Sequence, residues 1–337
     1  MLQRLTAIAM AAALLISSCQ GLSSSQQSAT GPQGRIAWPK DGDLWIYDLN
    51  SRQQTKITNL PGGAAVTGVS FSSDGKQVAY SQFWRRPNER ASGADLFVAN
   101  TDGSNAHIFA ERDAANGVVE QPQWMGSHVY YSVRRTTAGR EALSIARQTE
   151  GGPPETLVDG GYNPTVSADE TILVYLKNTR AGQSLMKRTI GQQNDCELLS
   201  DQVFQYLSQP RISPDGTKIA IGGSGEPSAQ PSTCGGDNRP KPSGLAPLLL
   251  LADWFGPSVA YAAAHGLPAD VYTLGTDGSN LQRAADIKDD DPTVAWSPDG
   301  SRLAIFGIAA LYLVESKGGS TTKLIEQGGY GGLDWTR

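Results

Sequence analysis

Ser70–Tyr80 reads SFSSDGKQVAY, and the same phrase returns as RISPDGTKIAI at Arg211–Ile221 and as AWSPDGSRLAI at Ala295–Ile305. Each copy consists of an apolar segment, a Ser-x-Asp-Gly turn and a second apolar segment. A second phrase also recurs, because ADLFVANTDGSN at Ala94–Asn105 matches ADVYTLGTDGSN at Ala269–Asn280. Self-similarity of this kind is typical of proteins that repeat one supersecondary unit. The chain is therefore predicted to be an all-β repeat protein.

The turn chemistry explains why the repeated phrase forms a hairpin. In the two Ser-Pro-Asp-Gly copies, Pro214 and Pro298 fix φ at the second position of the turn. Gly216 and Gly300 then supply the positive φ that a short hairpin loop requires. The segment that follows, KIAI at 218–221, offers Ile and Ala positions for packing. Each phrase therefore predicts two neighbouring antiparallel strands.

Four strands per repeat divide the chain into six four-stranded antiparallel blades of a β-propeller. Blades two to six are predicted to begin with first strands at Val69–Phe71, Pro122–Trp124, Pro164–Ser167, Pro210–Ser213 and Thr293–Trp296. A lone first strand at Gly332–Trp335 and three N-terminal strands from Arg35 onward complete blade one. If both chain ends share a blade, the ring is closed and no sheet end is left exposed.

The repeats resemble those of a known family. The pattern Ser-x-Asp-Gly followed by Ala-Asp-ϕ-aromatic resembles the WD40-like repeats of TolB-type propellers, which also form the propeller of prolyl-oligopeptidase-family enzymes. The resemblance covers residues 34–337 and implies the fold. It does not carry over the role of TolB, because we expect a lipid anchor and tether in the place of TolB's N-terminal α/β domain. It does not carry over peptidase activity either, because the sequence lacks the Gly-x-Ser-x-Gly nucleophile motif and room for a hydrolase domain.

The N-terminus has the pattern of an export signal. Arg4 precedes an apolar run at Leu5–Ile16 that is too short to span a bilayer, and Ser17-Ser18-Cys19 follows. This resembles a bacterial lipobox, in which the cysteine is lipidated; an ordinary signal peptide cleaved nearby is the alternative. Residues 20–33 are rich in Ser, Gln and Gly and are predicted to form a flexible tether. We expect a lipid anchor on the outer membrane facing the periplasm, or on the outer face of the cytoplasmic membrane in a one-membrane cell.

Composition restricts the partners. The net charge of −5 argues against nucleic acid, whose binding proteins carry a basic surface. We expect a monomer without a cofactor. After Cys19, only Cys196 and Cys234 remain, and in an oxidising compartment they either form a disulfide or stay as two thiols.

The strand order assigns the connections to two faces. Connections between first and second and between third and fourth strands lie on a tight-turn face; all others lie on a long-loop face, where binding residues usually sit. On that face the second-to-third connections of blades two to four hold seven arginines, a residue suited to carboxylate or phosphate: Arg85, Arg86, Arg90, Arg134, Arg135, Arg140 and Arg180. The alternative is a set of solvated loop charges, partly neutralised by Glu89 and Glu141.

A second candidate site lies where the chain enters each first strand, at the mouth of the central channel. Its predicted ligand-binding or partner-binding residues are Glu120, Gln121, Tyr162, Asn163, Gln209, Asp290, Asp291 and Tyr330. The alternative is ordinary turn chemistry. Three consecutive aspartates at 289–291 lack the spaced oxygen ligands of a calcium loop, so no metal site is predicted.

Blade five carries an insertion at 224–268. Its apolar part, Leu248–Phe255, is predicted to pack as a lid, or alternatively to bind a partner through Trp254 and Phe255, since large apolar surfaces seldom stay bare. Cys234 lies in this insertion, so a disulfide to Cys196 would attach the insertion to blade four.

The sequence offers little for catalysis. No two of its three histidines have the spacing of metal ligands. Glu120 and Asp291 are a possible acid–base pair across the channel. The sequence thus predicts an anchored binding or scaffold protein that recognises a protein, peptide or glycan on the long-loop face. The alternatives are a hydrolase or lyase with a channel-centred site, acting on envelope carbohydrate or a small ester, and a purely structural envelope protein.

Overall fold

The computed structural model describes residues 34–137, 140–179, 182–200, 206–224, 233–234, 268–290, 292–326 and 331–336. Within these ranges all regular structure is β-strand, which confirms the all-β prediction. The strands are β1 (Arg35–Lys40), β2 (Asp43–Asp48), β3 (Gln53–Lys56), β4 (Ala65–Phe71), β5 (Gln77–Trp84), β6 (Gly93–Asn100), β7 (His107–Ala110), β8 (Val118–Met125), β9 (His128–Thr137), β10 (Arg140–Thr149), β11 (Glu155–Asp159), β12 (Gly161–Val166), β13 (Ile172–Thr179), β14 (Gly182–Thr189), β15 (Asp195–Ser200), β16 (Tyr206–Ile212), β17 (Lys218–Ser224), β18 (Pro268–Gly275), β19 (Gln282–Asp290), β20 (Thr293–Trp296), β21 (Arg302–Phe306), β22 (Leu311–Glu315), β23 (Thr321–Ile325) and β24 (Asp334–Thr336).

The strands form antiparallel groups of four. Four such sheets stand alone, with the orders β24-β1-β2-β3, β12-β13-β14-β15, β16-β17-β18-β19 and β20-β21-β22-β23. The groups β4–β7 and β8–β11 are joined by a single parallel bridge between Ala94 and Val118. The C-terminal strand β24 pairs antiparallel with β1, so the two ends of the described chain share one sheet. The groups keep the numbers of the predicted blades, with β24 and β1–β3 as blade one.

Several strands are longer than the sequence pattern predicts. Arg134 and Arg135 lie in β9 and Arg140 lies in β10, so their predicted placement in a loop is wrong. The ladder continues past the apolar run to the Thr137–Arg140 pair, because β-branched Thr136 and Thr137 favour the extended backbone. Asp289 and Asp290 likewise belong to the end of β19 and not to a loop.

The Ser-x-Asp-Gly turns satisfy their own polar groups. Ser72 Oγ donates to Asp74 Oδ1 at 2.7 Å and accepts from the Gln77 amide at 2.9 Å, while Asp74 Oδ1 also accepts from the Lys76 amide at 3.0 Å. The same bonds occur at Ser213–Asp215 and at Ser297–Asp299. These turns therefore stabilise themselves and need no ligand.

A fourth copy of the turn, Ser167–Glu170, is not recognisable from the glycine pattern. Ser167 Oγ donates to Asp169 Oδ1 at 2.5 Å, but Glu170 occupies the glycine position with φ of 56°. Its carboxylate accepts from Tyr130 Oη at 2.6 Å and lies 2.7 Å from His128 Nδ1, both in blade three. These bonds compensate for a backbone conformation that side-chain-bearing residues rarely adopt.

The core consists of apolar clusters between neighbouring groups. Each of the six clusters among the described residues contains side chains of two consecutive blades. The first joins blade one to blade two, the series continues to blades five and six, and the last joins blade six to blade one. Trp38, Tyr130 and Tyr175 are the largest fully buried side chains. Packing of sheet against sheet thus holds the first strands in contact with one another.

Candidate functional site

Three of the predicted channel residues share an unusual backbone. Gln121, Asn163 and Gln209 have φ of 58°, 53° and 35°, and each stands directly before a proline at a register shift in its first strand. A left-handed residue other than glycine costs about 1–3 kcal/mol. The polar side chains of blades three to five are therefore retained despite a conformational cost.

The three side chains differ in how they are satisfied. Gln121 Oε1 accepts from Ser132 Oγ at 2.8 Å and from the Asn163 amide at 3.1 Å, which links blade three to blade four. Asn163 is only 6% exposed, yet its Oδ1 has no hydrogen-bond partner among the described residues. The Gln209 side chain, half-buried, also forms no hydrogen bond within the described part of the chain. Hydrogen-bonding capacity therefore remains open where the first strands begin.

Tyr162 belongs to a polar chain that crosses from blade four to blade five. Its hydroxyl donates to Asn178 Oδ1 at 2.9 Å and accepts from Gln183 Nε2 at 2.6 Å. Gln183 Oε1 accepts from the Leu207 amide at 2.6 Å. The phenol is consequently held in one orientation beside the start of the first strands.

Glu120 is a carboxyl group of this region whose pKa is shifted. Burial raises its pKa, the nearby Arg134 guanidinium opposes that rise, and Glu141 adds to it. The Arg134 nitrogens lie 3.8 Å from Glu120 and 3.5 Å from Glu141, so one cation serves two carboxyl groups. The raised pKa gives Glu120 a larger protonated fraction near neutral pH than an exposed glutamate has.

The strongest polar cluster of the long-loop face lies under the loop between β5 and β6. Asp95 is fully buried and accepts bonds of 2.5 Å from Arg86 Nη2 and from Arg112 Nη1. Trp84 Nε1 donates to Asp95 at 2.7 Å, and Arg112 Nη2 reaches Glu89 at 2.5 Å. Two cations and two carboxylates therefore neutralise one another and hold the loop in place.

Arg112 is the site residue that sequence reasoning missed. The signal is an aspartate near the start of a third strand. Asp95 accepts from the Arg112 amide at 2.8 Å, and Asp43 accepts from the Leu60 amide at 2.8 Å. In both cases the donor amide lies 17 residues after the aspartate. An aspartate that opens a third strand thus fixes the connection that leaves the fourth strand. That spacing, applied to Asp95, would have pointed to residue 112.

The predicted arginine arc is less basic than its sequence suggests. Arg86 is bound to Asp95, Arg134 lies between two carboxylates, and Arg135 bonds Asp113. Arg85, Arg90 and Arg140 are exposed and form no ion pair with a described residue. Counting Arg112, seven arginines of blades two and three are matched by the six carboxylates of Glu89, Asp95, Glu111, Asp113, Glu120 and Glu141.

Two large apolar side chains accompany these arginines on the long-loop face. Phe83, at the end of β5, is 38% exposed, and Ile308, between β21 and β22, is 37% exposed. Several predicted site residues lie outside the described residues: Cys19, Arg180, Trp254, Phe255, Asp291, Tyr330 and the side chain of Asp290.

Comparison with solved structures identifies the fold. No protein-family model matches the chain, and a comparison with curated proteins finds no match. The chain is similar to TolB from Acinetobacter baumannii, with a TM-score of 0.59 and 13% identity over 90% of this chain and 66% of that one. It is similar to a putative TolB from Agrobacterium tumefaciens, with a TM-score of 0.57 and 13% identity over 91% and 99% of the two chains. A chain of a nidogen–laminin complex aligns with a TM-score of 0.56 and 10% identity, over 90% and 98%.

The fold is a TolB-like β-propeller. At these identities the similarity extends to the fold alone, which confirms the resemblance of the repeats at that level. The aligned part covers about two thirds of the Acinetobacter protein.

The insertion of this propeller touches blade four at one described point. Cys196 in β15 and Cys234 form a disulfide, with Cα atoms 5.2 Å apart. Beside it, the Glu197 amide donates to Thr233 Oγ1 at 2.6 Å and the Thr233 amide donates to the Glu197 carbonyl at 2.9 Å. The bridge therefore attaches the inserted segment to the outer strand of blade four.

The described residues contain no helix that is long and apolar enough to cross a membrane. Among them, no three or more His, Cys, Asp or Glu side chains are grouped so that they could hold a metal ion.

Proposed function

We propose that this TolB-like propeller is a lipid-anchored binding protein of the bacterial cell envelope. In this proposal it has six blades in a closed ring, works as a monomer and recognises a protein, peptide or glycan on its long-loop face.

The cyclic contacts between blades support the closed ring. The Phe71 amide of blade two donates to Asp334 of blade one at 2.6 Å. Thr293 Oγ1 of blade six donates to the Gly331 carbonyl of blade one at 2.8 Å. Blade one therefore bonds to both of its neighbours, as the closing blade of a ring must.

The observation that carries the binding proposal is the charge cluster around Asp95. Buried ion pairs are costly to desolvate, so they are a poor way to gain stability alone. Here they fix the surface loop at 85–92 and leave Arg85, Arg90 and the adjacent Phe83 exposed. A loop that is rigid before binding loses less conformational entropy when a partner docks. Loops displayed in this way on a rigid scaffold are typical recognition elements.

A charge-reversal experiment tests the proposed face. The long-loop variant carries Arg85→Glu, Arg90→Glu and Arg140→Glu; the matched control carries Arg52→Glu, Lys76→Glu and Lys317→Glu in exposed tight turns. Both change the net charge equally. Each full-length protein is immobilised and exposed to envelope extract, and retained proteins and glycans are quantified. We expect roughly tenfold lower retention for the long-loop variant only, because rim charges govern association. Equal retention by both variants would refute the proposed face.

The anchor rests on the sequence alone and has its own test. Cells expressing the full chain are fed an alkyne-tagged fatty acid, and membrane and soluble fractions are compared for the wild type and Cys19→Ala. We expect label and membrane association in the wild type, and loss of both in the variant. Label that persists in Cys19→Ala would contradict lipidation at this cysteine.

Glu120 favours one alternative, a hydrolase or lyase centred on the channel. A carboxyl group with a raised pKa is suited to general-acid catalysis. The two described histidines do not join it, because His107 and His128 begin β7 and β9 on the tight-turn face. The test compares wild type with Glu120→Gln on 4-nitrophenyl acetate and on envelope polysaccharide. Turnover that disappears in the variant would replace the binding proposal with this one.

A further inference from the structure

The interior of the ring of first strands has a layer of equivalent positions near the tight-turn face. Each lies one or two residues before the end of its first strand: Ser70, Gln123, Thr165, Arg211, Ala295 and Asp334. Strand register supports the equivalence, because Ser70, Arg211, Ala295 and Asp334 each pair with an alanine of the second strand. We call these residues the inner layer.

Four members of the inner layer accept a hydrogen bond from the next blade. Asp334 accepts from the Phe71 amide at 2.6 Å, and Ser70 Oγ accepts from the Trp124 amide at 2.9 Å. In the same way, Gln123 accepts from the Val166 amide of blade four at 2.6 Å, and Thr165 accepts from the Ile212 amide of blade five at 3.0 Å. Arg211 and Ala295 break this series, because neither side chain offers an acceptor.

Arg211 is a cation deep in the inner layer. Its only described side-chain hydrogen bond runs from Nη1 to the Pro210 carbonyl at 3.0 Å, so the other guanidinium nitrogens have no hydrogen-bond partner among the described residues. It forms no ion pair with any residue that the structure describes. Burial lowers the pKa of Arg211, which shows that its surroundings penalise the charge. Even so the residue remains partly exposed, so solvent reaches it.

Asp334 does not neutralise this cation directly. Its Oδ2 accepts from the Phe71 amide and from Ser70 Oγ at 3.1 Å, and no ion pair with Arg211 is formed. Burial raises the pKa of Asp334, and the Phe71 amide and the charge of Arg211 only partly counteract that rise. Ala295 stands between the two in blade order and fills little of the space that a larger side chain would occupy.

We propose that Arg211 is the anchor of a binding site for a small hydroxylated monocarboxylate inside the ring. A carboxylate matches the open guanidinium fork and supplies the charge that this deep cation lacks. A phosphate dianion fits less well, because Asp334 would repel its second charge. Gln209, two residues earlier in β16, has a side-chain amide without a hydrogen-bond partner among the described residues, and this amide is suited to ligand hydroxyl groups. This site lies away from the long-loop face and goes beyond the proposed function.

Isothermal titration of the full-length protein with sodium gluconate tests the site. Sorbitol, which has the same hydroxylated chain without a carboxylate, is the matched ligand control, and sodium phosphate tests the choice of anion. We expect gluconate to bind, sorbitol not to bind and phosphate to bind more weakly. Triglycine and its C-terminal amide distinguish an organic acid from a peptide end as the source of the carboxylate. Binding of none of these carboxylates, or equally tight binding of phosphate, would overturn the proposal.

Two variants connect the binding to the inner layer. Arg211→Met is expected to weaken gluconate binding at least tenfold, whereas Arg302→Met, which removes an arginine paired with Glu315 on the tight-turn face, leaves it unchanged. Asp334→Asn removes the nearby negative charge and is expected to tighten binding. Gluconate should raise the Tm of the wild type but not that of Arg211→Met. Equal gluconate affinity in wild type and a folded Arg211→Met, or weaker binding by a folded Asp334→Asn, would refute the assignment.

Discussion

The two faces of this propeller use aspartate in opposite ways. On the tight-turn face, Asp74, Asp215 and Asp299 are exposed or nearly so and bond to residues within two positions along the chain. On the long-loop face, Asp43 and Asp95 are buried and bond to amides 17 residues away. Local bonds make each tight turn self-sufficient. The distant bonds make the long-loop face depend on correct assembly of the whole blade.

We expect the largest loss of stability on removal of the Asp95 charge. Asp95→Asn leaves Arg86 and Arg112 without their shared carboxylate, and breaking a buried ion pair from one side costs about 3–5 kcal/mol. Asp102→Asn, in an exposed turn where the carboxylate bonds only to Ser104, is the control. Urea unfolding measures the free energy of both. Similar losses in the two variants would show that the buried cluster is no more important than a local turn.

The disulfide tests how far the order of the insertion depends on a distant partner, because it joins Cys234 to the outer strand of blade four. Cys196 and Cys234 are 38 residues apart, and closing a loop of that length stabilises a fold by about 3–4 kcal/mol in the chain-entropy model. Cys196→Ser should lower the Tm, and the double variant with Cys234→Ser should lower it no further. A Tm that is unchanged by reduction of the wild type would indicate that the insertion adds no constraint.

The same contrast explains what the sequence could predict. The hairpins were predictable because Ser297, Asp299 and Gly300 carry the whole turn in four consecutive residues. The strand ends of β9 and the role of Arg112 were not, because they depend on register and on a partner in another part of the blade. Gln121 and Asn163 were predicted in loops that enter the first strands, but they lie inside β8 and β12. Their left-handed conformation depends on register shifts against the neighbouring strands, which the sequence alone does not reveal.

The pH dependence of the tight-turn face gives a smaller effect. Hydrogen bonds from Ser297 and from the Ser301 amide lower the pKa of Asp299 to about 2, below the ordinary value of 3.8. A carboxyl whose pKa is lower in the folded state stabilises the fold above about pH 4, and this contribution is lost as the pH falls toward 2. The difference in unfolding free energy between wild type and Asp299→Asn should therefore shrink over that range. A difference that stays constant from pH 5 to pH 2 would contradict the lowered pKa.

The smallest expected changes in stability distinguish side chains in the first strands that support the fold from those that do not. Gln121→Gly removes the acceptor of Ser132 and of the Asn163 amide, at a cost of about 1 kcal/mol. Gln209→Gly removes no described hydrogen bond, and relief of the left-handed backbone offsets the entropy that glycine adds to the unfolded chain, so we expect a change within about 0.5 kcal/mol. Thermal unfolding of both variants measures the difference. If Gln209→Gly costs as much as Gln121→Gly, the Gln209 side chain serves the fold. If Gln209→Gly costs nothing, the Gln209 side chain does not stabilise the fold, although the residue occupies a costly backbone conformation. Contact of its amide with a ligand is then the best explanation for a glutamine at this position.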